Sequence, residues 1–513
     1  MHKQFNPENF EVWLSYYGGQ ALQVGYGMDG FQGTPYQRGA GLGSFFKSLF
    51  RMAVPVLKSI GRKAGKEALH AGAELLTNVA QGKPVIESAK KQLKSSTARV
   101  LKVVGDELQE GEGLGFRTKS INTTSDGPYE FRIPPDPNYI QLNKNYVYVQ
   151  MVIKQPAVTA GTPIPAYAAI NLIGKTLFSQ VKCCLNNKLV FDSSDKYAYK
   201  AFFETELNYG TDAKSSHLQS SLYFKENGTD VNTKDNDSFK SRAEFFKNDS
   251  IVEVTAPLHI DIFCQNKYLL NYTDMRIELH RNSNPFVLQC FENTDLKLEI
   301  LKMKLYVRKV EVLDSVNMAI ESVLKTSTVK YPIRRVVMTN VHVANPATEA
   351  PHQTLFSGQL PRRIVFGCVE GDAYRGNIKK SPFIFKNFGI RDVRVTCGGQ
   401  TFPLQPLNVD FKNNLYINAY NQLFEALDLA RDNKGNGINR SDFKNTHCIF
   451  AFDLTPDEDD NGHWDLIRDG TTSIDVKFSE KLPDSGVQIV VYAEFDNLLL
   501  IDKDRNVFFD YSA

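Results

Sequence analysis

Side chains able to do chemistry are present in this sequence, but they do not gather. The nine histidines are scattered, with no HExxH pair and no grouping with cysteine. The cysteines are Cys183, Cys184, Cys264, Cys290, Cys368, Cys397 and Cys448, an odd number with no CxxC spacing, which argues against zinc and thioredoxin-type chemistry. Most lie in apolar, strand-like runs, where a free Cys behaves as a small hydrophobe, and a reducing interior suits them. His463-Trp464-Asp465 adjoins the acidic run Asp457-Glu-Asp-Asp and reads as a solvated loop. Asp432-Asn-Lys-Gly-Asn-Gly resembles a calcium loop, but Lys434 stands at its third position and Phe443 where the bidentate Glu belongs. No GxxxxGK[ST] loop occurs to cradle a nucleotide. The expectation is a protein with no catalytic residues, no metal and no cofactor.

Two other patterns carry chemistry of a looser kind. Residues 44–104 hold twelve Lys/Arg (Lys47, Arg51, Lys58, Arg62, Lys63, Lys66, Lys83, Lys90, Lys91, Lys94, Arg99 and Lys102) against Glu67, Glu74 and Glu87, within a chain whose formal net charge is only +2. Such segregation predicts an anionic partner for one segment alone. Three readings stay open. The lysines and arginines could neutralise DNA phosphates, with strong salt dependence. The face carrying Phe45, Phe46, Leu49 and Phe50 could lie in a membrane interface. Or the segment could pack inside a larger assembly. The second pattern is Gln-x-Gly-x-Gly, which occurs as Gln23-Val-Gly-Tyr-Gly, Gln37-Arg-Gly-Ala-Gly and Gln109-Glu-Gly-Glu-Gly. All three lie outside the expected folded elements, where a protease can bind extended backbone. Gly27, Gly41 and Gly113 are the candidate processing sites.

The elements that position these residues differ along the chain. At 513 residues the chain suits two or three domains. Residues 1–43 form a Gly/Tyr/Gln-rich arm with little periodicity. Residues 44–113 read as a basic, amphipathic helical segment broken at Pro55 and Pro84 and closed by an acidic linker. The first thirty residues lack a basic start followed by an apolar core, so no secretory signal is expected, and no run of eighteen apolar residues exists. From 114 onward the texture becomes short alternating runs between turn signals, the pattern of antiparallel sandwiches. Near Ile300 the alternation slips: Leu296, Leu298 and Ile300 share one face, then Leu301, Met303, Leu305 and Val307 continue. A β-bulge or two separate strands would each explain this.

A weak internal repeat organises that region. Val181-Lys-Cys-Cys-Leu-Asn-Asn-Lys-Leu-Val-Phe reads as strand, turn, strand, and so does Val393-Arg-Val-Thr-Cys-Gly-Gly-Gln-Thr-Phe-Pro. Each is followed by one aromatic helical stretch, from Tyr197 in the first copy and Asn418 in the second. The order then runs in parallel: residues 252–263 with 448–454, 275–280 with 473–478, and 301–314 with 489–502. Two copies of about eight strands each make two jelly rolls in tandem. The domains expected are residues 114–314 and 327–513, joined by a short helix within 315–326. Cys183 and Val395 take equivalent places in the two hairpins, both on inward faces.

At these residues the chain resembles a known family. Leu177-Phe-Ser-Gln-Val, the run Tyr197-Ala-Tyr-Lys-Ala-Phe-Phe-Glu-Thr, Leu207-Asn-Tyr-Gly-Thr-Asp-Ala-Lys, Gly358-Gln-Leu-Pro-Arg-Arg-Ile-Val-Phe-Gly, Pro382-Phe-Ile-Phe-Lys-Asn-Phe and Pro406-Leu-Asn-Val-Asp-Phe are similar to the major capsid proteins of Polinton (Maverick) elements and adintoviruses. The resemblance covers most of residues 115–510. It implies a mainly β, tandem double jelly-roll, hexon-like subunit that forms a homotrimer of pseudo-sixfold outline, follows a flexible, partly helical basic N-terminal region, and acts structurally rather than as an enzyme. The N-terminal run Tyr36-Gln-Arg-Gly-Ala-Gly-Leu-Gly-Ser-Phe-Phe-Lys, with Gln81-Gly-Lys-Pro-Val, resembles the small basic minor capsid or core protein of the same elements. A fusion of the two departs from the family pattern.

The partners implied are further copies in a capsid lattice, penton or minor capsid proteins, viral DNA through the N-terminal lysines, and an adenovirus-type cysteine protease. Proteases of that type cut Gly-x-Gly sequences, though they prefer an aliphatic residue where Gln stands here. The implied location is the virion, after assembly inside the host cell, in its nucleus. The alternatives are a penton or minor capsid protein, which normally needs one jelly roll, and a ligand-binding β-sandwich protein. A cupin-like enzyme would need a His/Glu metal set that the sequence does not supply.

Overall fold

The computed structural model describes residues 119–121, 127–155, 166–226, 228, 231–292, 295–455 and 467–509. The Gly/Tyr/Gln-rich arm, the basic segment and the His463-Trp464-Asp465 loop lie outside the described residues.

Alternating burial builds the sheets. Tyr129, Phe131 and Ile133 point inward while Glu130 and Arg132 are exposed, and Met275, Ile277 and Leu279 repeat the pattern. The first sandwich has eight strands among the described residues: β1 (Lys119–Ile121), β2 (Tyr129–Ile133), β3 (Tyr146–Lys154), β4 (Phe178–Leu185), β5 (Lys188–Asp192), β6 (Val252–Pro257), β7 (Met275–Arg281) and β8 (Lys297–Tyr306). They form two antiparallel sheets ordered β1-β8-β3-β6 and β2-β7-β4-β5. The second sandwich has β9 (Val329–Val343), β10 (Glu349–Gln359), β11 (Arg363–Glu370), β12 (Ile390–Cys397), β13 (Gln400–Asn408), β14 (Ile449–Asp453), β15 (Asp469–Phe478) and β16 (Val487–Ile501). Its sheets run β9-β16-β11-β14 and β10-β15-β12-β13, with Val507–Phe509 added beside β16. Adding eight to every strand number of the first sandwich reproduces the second. In each, the first strand pairs with the eighth and the second with the seventh, which is the jelly-roll order. The double jelly roll expected from the repeat is the fold.

Local chemistry fixes the register. Both hairpins turn on two residues of positive φ, Asn186 and Asn187 between β4 and β5, Gly398 and Gly399 between β12 and β13. These residue types tolerate the left-handed region that a two-residue hairpin demands. Cys183 and Val395 are both fully buried. The slip near Ile300 is a bulge within one strand: Ile300 pairs with Met151 and Lys302 with Gln150, leaving Leu301 without a partner. Of the two explanations the sequence left open it is the bulge, which turns Leu301 outward to 38% exposure, and Met303 resumes the core.

Each jelly roll carries an insertion between its fifth and sixth strands. In the first it holds α1 (Tyr197–Asn208) and α2 (Asp237–Phe245). After the first sandwich comes α3 (Asp314–Leu324), and the insertion of the second holds α4 (Ile417–Ala426) and α5 (Arg440–Asn445). One helix per insertion was expected; besides a one-turn helix at Thr211–Lys214, α2 and α5 are additional. Both are short, and each is started by an Asn side chain, Asn236 and Asn439, that accepts hydrogen bonds from the first-turn amides. Both sandwiches lie within one compact unit (Gly115–Val310, Leu324–Asp460 and Trp464–Ala513). The segment Glu311–Val323, with most of α3, belongs to a second unit. No helix among the described residues is long and apolar enough to cross a membrane.

Candidate functional site, a buried seam between the two jelly rolls

Helix α1 reads Tyr-Ala-Tyr-Lys-Ala-Phe-Phe-Glu-Thr-Glu-Leu-Asn and has no polar side: ten of its twelve residues are buried. A helix covered all round must lie between two packed bodies, and α1 does. Its aromatic face meets the second jelly roll. Phe202 stacks on Phe383 with centroids 4.7 Å apart, Phe203 lies 5.0 Å from Phe385 and 6.1 Å from Tyr492 of β16, and Tyr199 stacks on Tyr374 at 5.3 Å. Gly367 of β11 makes room for this layer, since a Cβ there would fall 2.4 Å from a ring carbon of Phe385.

The charged residues of α1 are buried with their partners. Lys200 pairs with Glu204 one turn on and lies 3.1 Å from Asp261. His259 Nδ1 is 2.5 Å from the other oxygen of Glu204. Asp261 also accepts the amide of Val336 in β9 at 3.1 Å, so a side chain of the first jelly roll holds the backbone of the second. Burial opposes the charge on Glu204, but Lys200 and His259 outweigh it and hold the carboxyl at about 2. Burial, with Lys175 nearby, pushes His259 down to about 4. Burial raises Asp261 to about 6 against the pull of Lys200. Lys175, whose ammonium donates to Thr205 at 3.0 Å, is lowered by burial to about 8.

A second cluster continues the seam. Lys214 donates to Glu206 at 2.7 Å and, across the seam, to the carbonyl of Asn436 at 2.7 Å. Tyr223 donates to the other oxygen of Glu206 at 3.0 Å, and His447 Nε2 stands 3.5 Å from the oxygen that Lys214 holds. Lys225 reaches the carbonyl of Gly437 and the carboxylate of Asp442. Farther along, Arg505 donates to the carbonyl and side chain of Asn271, and the Leu270 amide donates to Tyr331. Losing one member of such a buried pair strands the other, at a cost of roughly 3–5 kcal/mol.

This arrangement holds two bodies in one orientation. His259 is buried, and among the described residues no three His, Cys, Asp or Glu side chains group to hold a metal. The sites singled out in the sequence are elsewhere. Lys47, Arg51, Lys58, Arg62, Lys63, Lys66, Lys90, Lys91 and Lys94 lie outside the described residues, as do Gly27, Gly41 and Gly113. The seam itself was missed. Its signal was present as Lys200 and Glu204 at i,i+4 inside an aromatic helix, where charges have no reason to sit unless they meet partners.

Two eight-stranded sandwiches of identical jelly-roll order in one compact unit define the double jelly-roll class. No family model matches the chain. An uncharacterized protein of Caenorhabditis elegans, F54H12.2, is 30% identical over 399 residues, covering 75% of this chain and 94% of that protein, and the chain belongs to its family. Among solved structures, a chain in the cryo-EM structure of the Sputnik virophage matches with a TM-score of 0.56 at 12% identity, over 78% of this chain and 88% of that one. The crystal structure of the mavirus major capsid protein matches at 0.45 and 12%, over 77% and 90%. At 12% identity the Sputnik likeness is one of fold.

Proposed function

We propose that this chain is a hexon-like major capsid subunit of a virus or virus-like transposable element. The observation that carries the reading is the rigid doubling: two jelly rolls of identical strand order, locked by a buried seam, in a fold shared with a chain of a virophage particle. A ligand-binding sandwich has no need of a second copy fixed at one orientation. A shell subunit does, because it must present the same edges to every neighbour. The family resemblance favours a Polinton (Maverick) or adintovirus-like element, and a relative in an animal, Caenorhabditis elegans, fits an element carried in animal genomes.

On this reading the chain works as a homotrimer within a capsid lattice, beside penton or minor capsid proteins, with assembly in the host nucleus. The N-terminal lysines and arginines, Lys47 to Lys94, line the capsid interior and contact DNA, and a cysteine protease of the adenovirus type cuts before Gly41 and Gly113 to free the basic segment. Charge segregation and the flanking Gln-x-Gly-x-Gly runs support this part. Purified full-length chain is expected to scatter light as a trimer and to show capsomers or shells by electron microscopy. A monomer across a wide concentration range, with neither form visible, overturns the reading.

A further inference from the structure

Helix α3 follows the first sandwich and keeps an apolar face in the open. Leu313, whose carbonyl accepts the first-turn amides of Val316 and Asn317, is 40% exposed. Val316 is 45% and Val323 57% exposed, and Ile320 is half-buried between them. These four follow one another at steps of three, four and three residues, which sets them all on one side of the helix. Only Leu324, at its end, is buried. A row of large apolar side chains this open marks a surface that another element covers.

The chain itself supplies a matching element close at hand. β1 runs antiparallel to β8, with Ile121 opposite Met303 and Lys119 opposite Leu305. Followed backward from Lys119, the chain thus comes from the end of β8 that leads on to α3, whose first residue is nine beyond Leu305. Upstream lie residues 85–104, outside the described residues, whose sequence reads as a basic helix. Residues 105–118, fourteen in all, join that stretch to β1. They span up to about 50 Å when extended, against a length of about 16 Å for α3, so the stretch is held near α3 at high effective concentration. Read backward, it offers Val103, Val100, Ser96 and Leu93, again at steps of three, four and three. Laid antiparallel, these pair with Leu313, Val316, Ile320 and Val323 in turn, at the 3.5-residue period of two helices packed side by side. Charge agrees. Lys90, Lys91, Lys94, Arg99 and Lys102 outnumber Glu87 in the stretch, while Glu311, Asp314 and Glu321 outnumber Lys325 around α3.

We propose that residues 85–104 dock as an antiparallel helix on the apolar face of α3 in the same chain. Lys91 and Lys102 then fall on the side away from the contact and stay open to an anionic partner. A protease cut before Gly113 severs the tether but leaves the stretch seated on α3. The docking does not depend on the capsid reading, since a single chain forms it.

Disulfide trapping in the full chain tests this with Val100→Cys and Val316→Cys together. Isotope-labelled and unlabelled chains are mixed, oxidised and mapped by tryptic mass spectrometry. A disulfide joining positions 100 and 316 within one chain is expected, and none when Lys91→Cys replaces Val100→Cys. A second measurement uses Val316→Asp alone. That side chain is exposed, so melting of the sandwiches is expected to be unchanged, while trypsin cuts after Lys94 and Arg99 about tenfold faster than in wild type, because cleavage follows the population of the open form. No disulfide between 100 and 316, or a cutting rate that Val316→Asp leaves unchanged, overturns the docking. A disulfide joining labelled to unlabelled chain, whether 100 to 316 or 316 to 316, gives the face to a second copy and overturns it as well. Neither result touches the capsid reading.

Discussion

His259 and Asp261 stand two residues apart beside Lys200, yet burial moves their titrations in opposite directions, past each other. His259 is lowered from 6.5 to about 4, so it stays neutral in the fold while an unfolded chain takes up a proton below 6.5. Its contribution is present above 6.5 and is lost as pH falls toward 4. Asp261 is raised from 3.8 to about 6, so the folded chain binds its proton first. Its contribution is full below 3.8 and is lost as pH rises through 6. Glu204, held at about 2 against burial by Lys200 and His259, begins to matter only below its ordinary 4.5. Between pH 4.5 and 6 the first two slopes therefore oppose each other, and the melting temperature of the wild-type chain is expected to change little. His259→Gln removes one slope, so that variant should gain stability on acidification across this window, while Asp261→Asn should lose it. Melting curves at half-unit pH steps give the signs directly. Two variants sloping the same way would show that the residues do not titrate as this buried cluster requires.

At the scale of the element, strand β11 is buried along almost its whole length, and its outer face carries the aromatic layer under α1. Gly367 is the point where that layer comes closest, with no room for a Cβ against Phe385. Gly367→Ala should cost about 1–3 kcal/mol through overpacking, and Gly367→Ala with Phe385→Leu should recover part of it. Chemical denaturation reads both, and an Ala variant as stable as wild type would show that Phe385 moves freely. Local elements like these divide by how much of their cause lies nearby in the chain. The two hairpins were legible because Asn186-Asn187 and Gly398-Gly399 hold their turns in themselves. The bulge was legible as a slip in alternation, but two separate strands explained the slip as well, and the pattern does not say which residue is the extra one. Helices α2 and α5 were missed because they are short; each is begun by an Asn cap, which Asp442 completes into a capping box in α5. The pairings across the seam were illegible for another reason. Asp261 with Val336 and Lys214 with Asn436 are joined across 75 and 222 residues, and no local pattern carries such a pairing.

At the scale of the whole molecule, the seam decides whether two jelly rolls behave as one body. Domains joined by a thin, wet contact unfold separately, and a single free energy then has no meaning for the pair. Here the contact is dry and aromatic at Phe202, Phe203, Phe383 and Phe385, and it is flanked by the Lys214 bond to the Asn436 carbonyl and the Lys225–Asp442 pair, which cross between the halves. A shell subunit gains from this, since a hinge between its halves would blur the edges it offers to neighbours. Scanning calorimetry of the wild-type chain is expected to show one transition for residues 127–509, with calorimetric and van't Hoff enthalpies in agreement. Phe202→Ala removes the ring that stacks on Phe383 and faces His447, while leaving the strands of both sandwiches untouched. It should lower stability by about 3–5 kcal/mol and split the transition in two, because each jelly roll keeps its own core and only the coupling is cut. A wild-type chain that already melts in two steps would show that the halves are independent. A Phe202→Ala variant that still melts in one would place the coupling in the polar contacts that cross the seam, Lys214 with Asn436 and Lys225 with Asp442, instead of the aromatic layer.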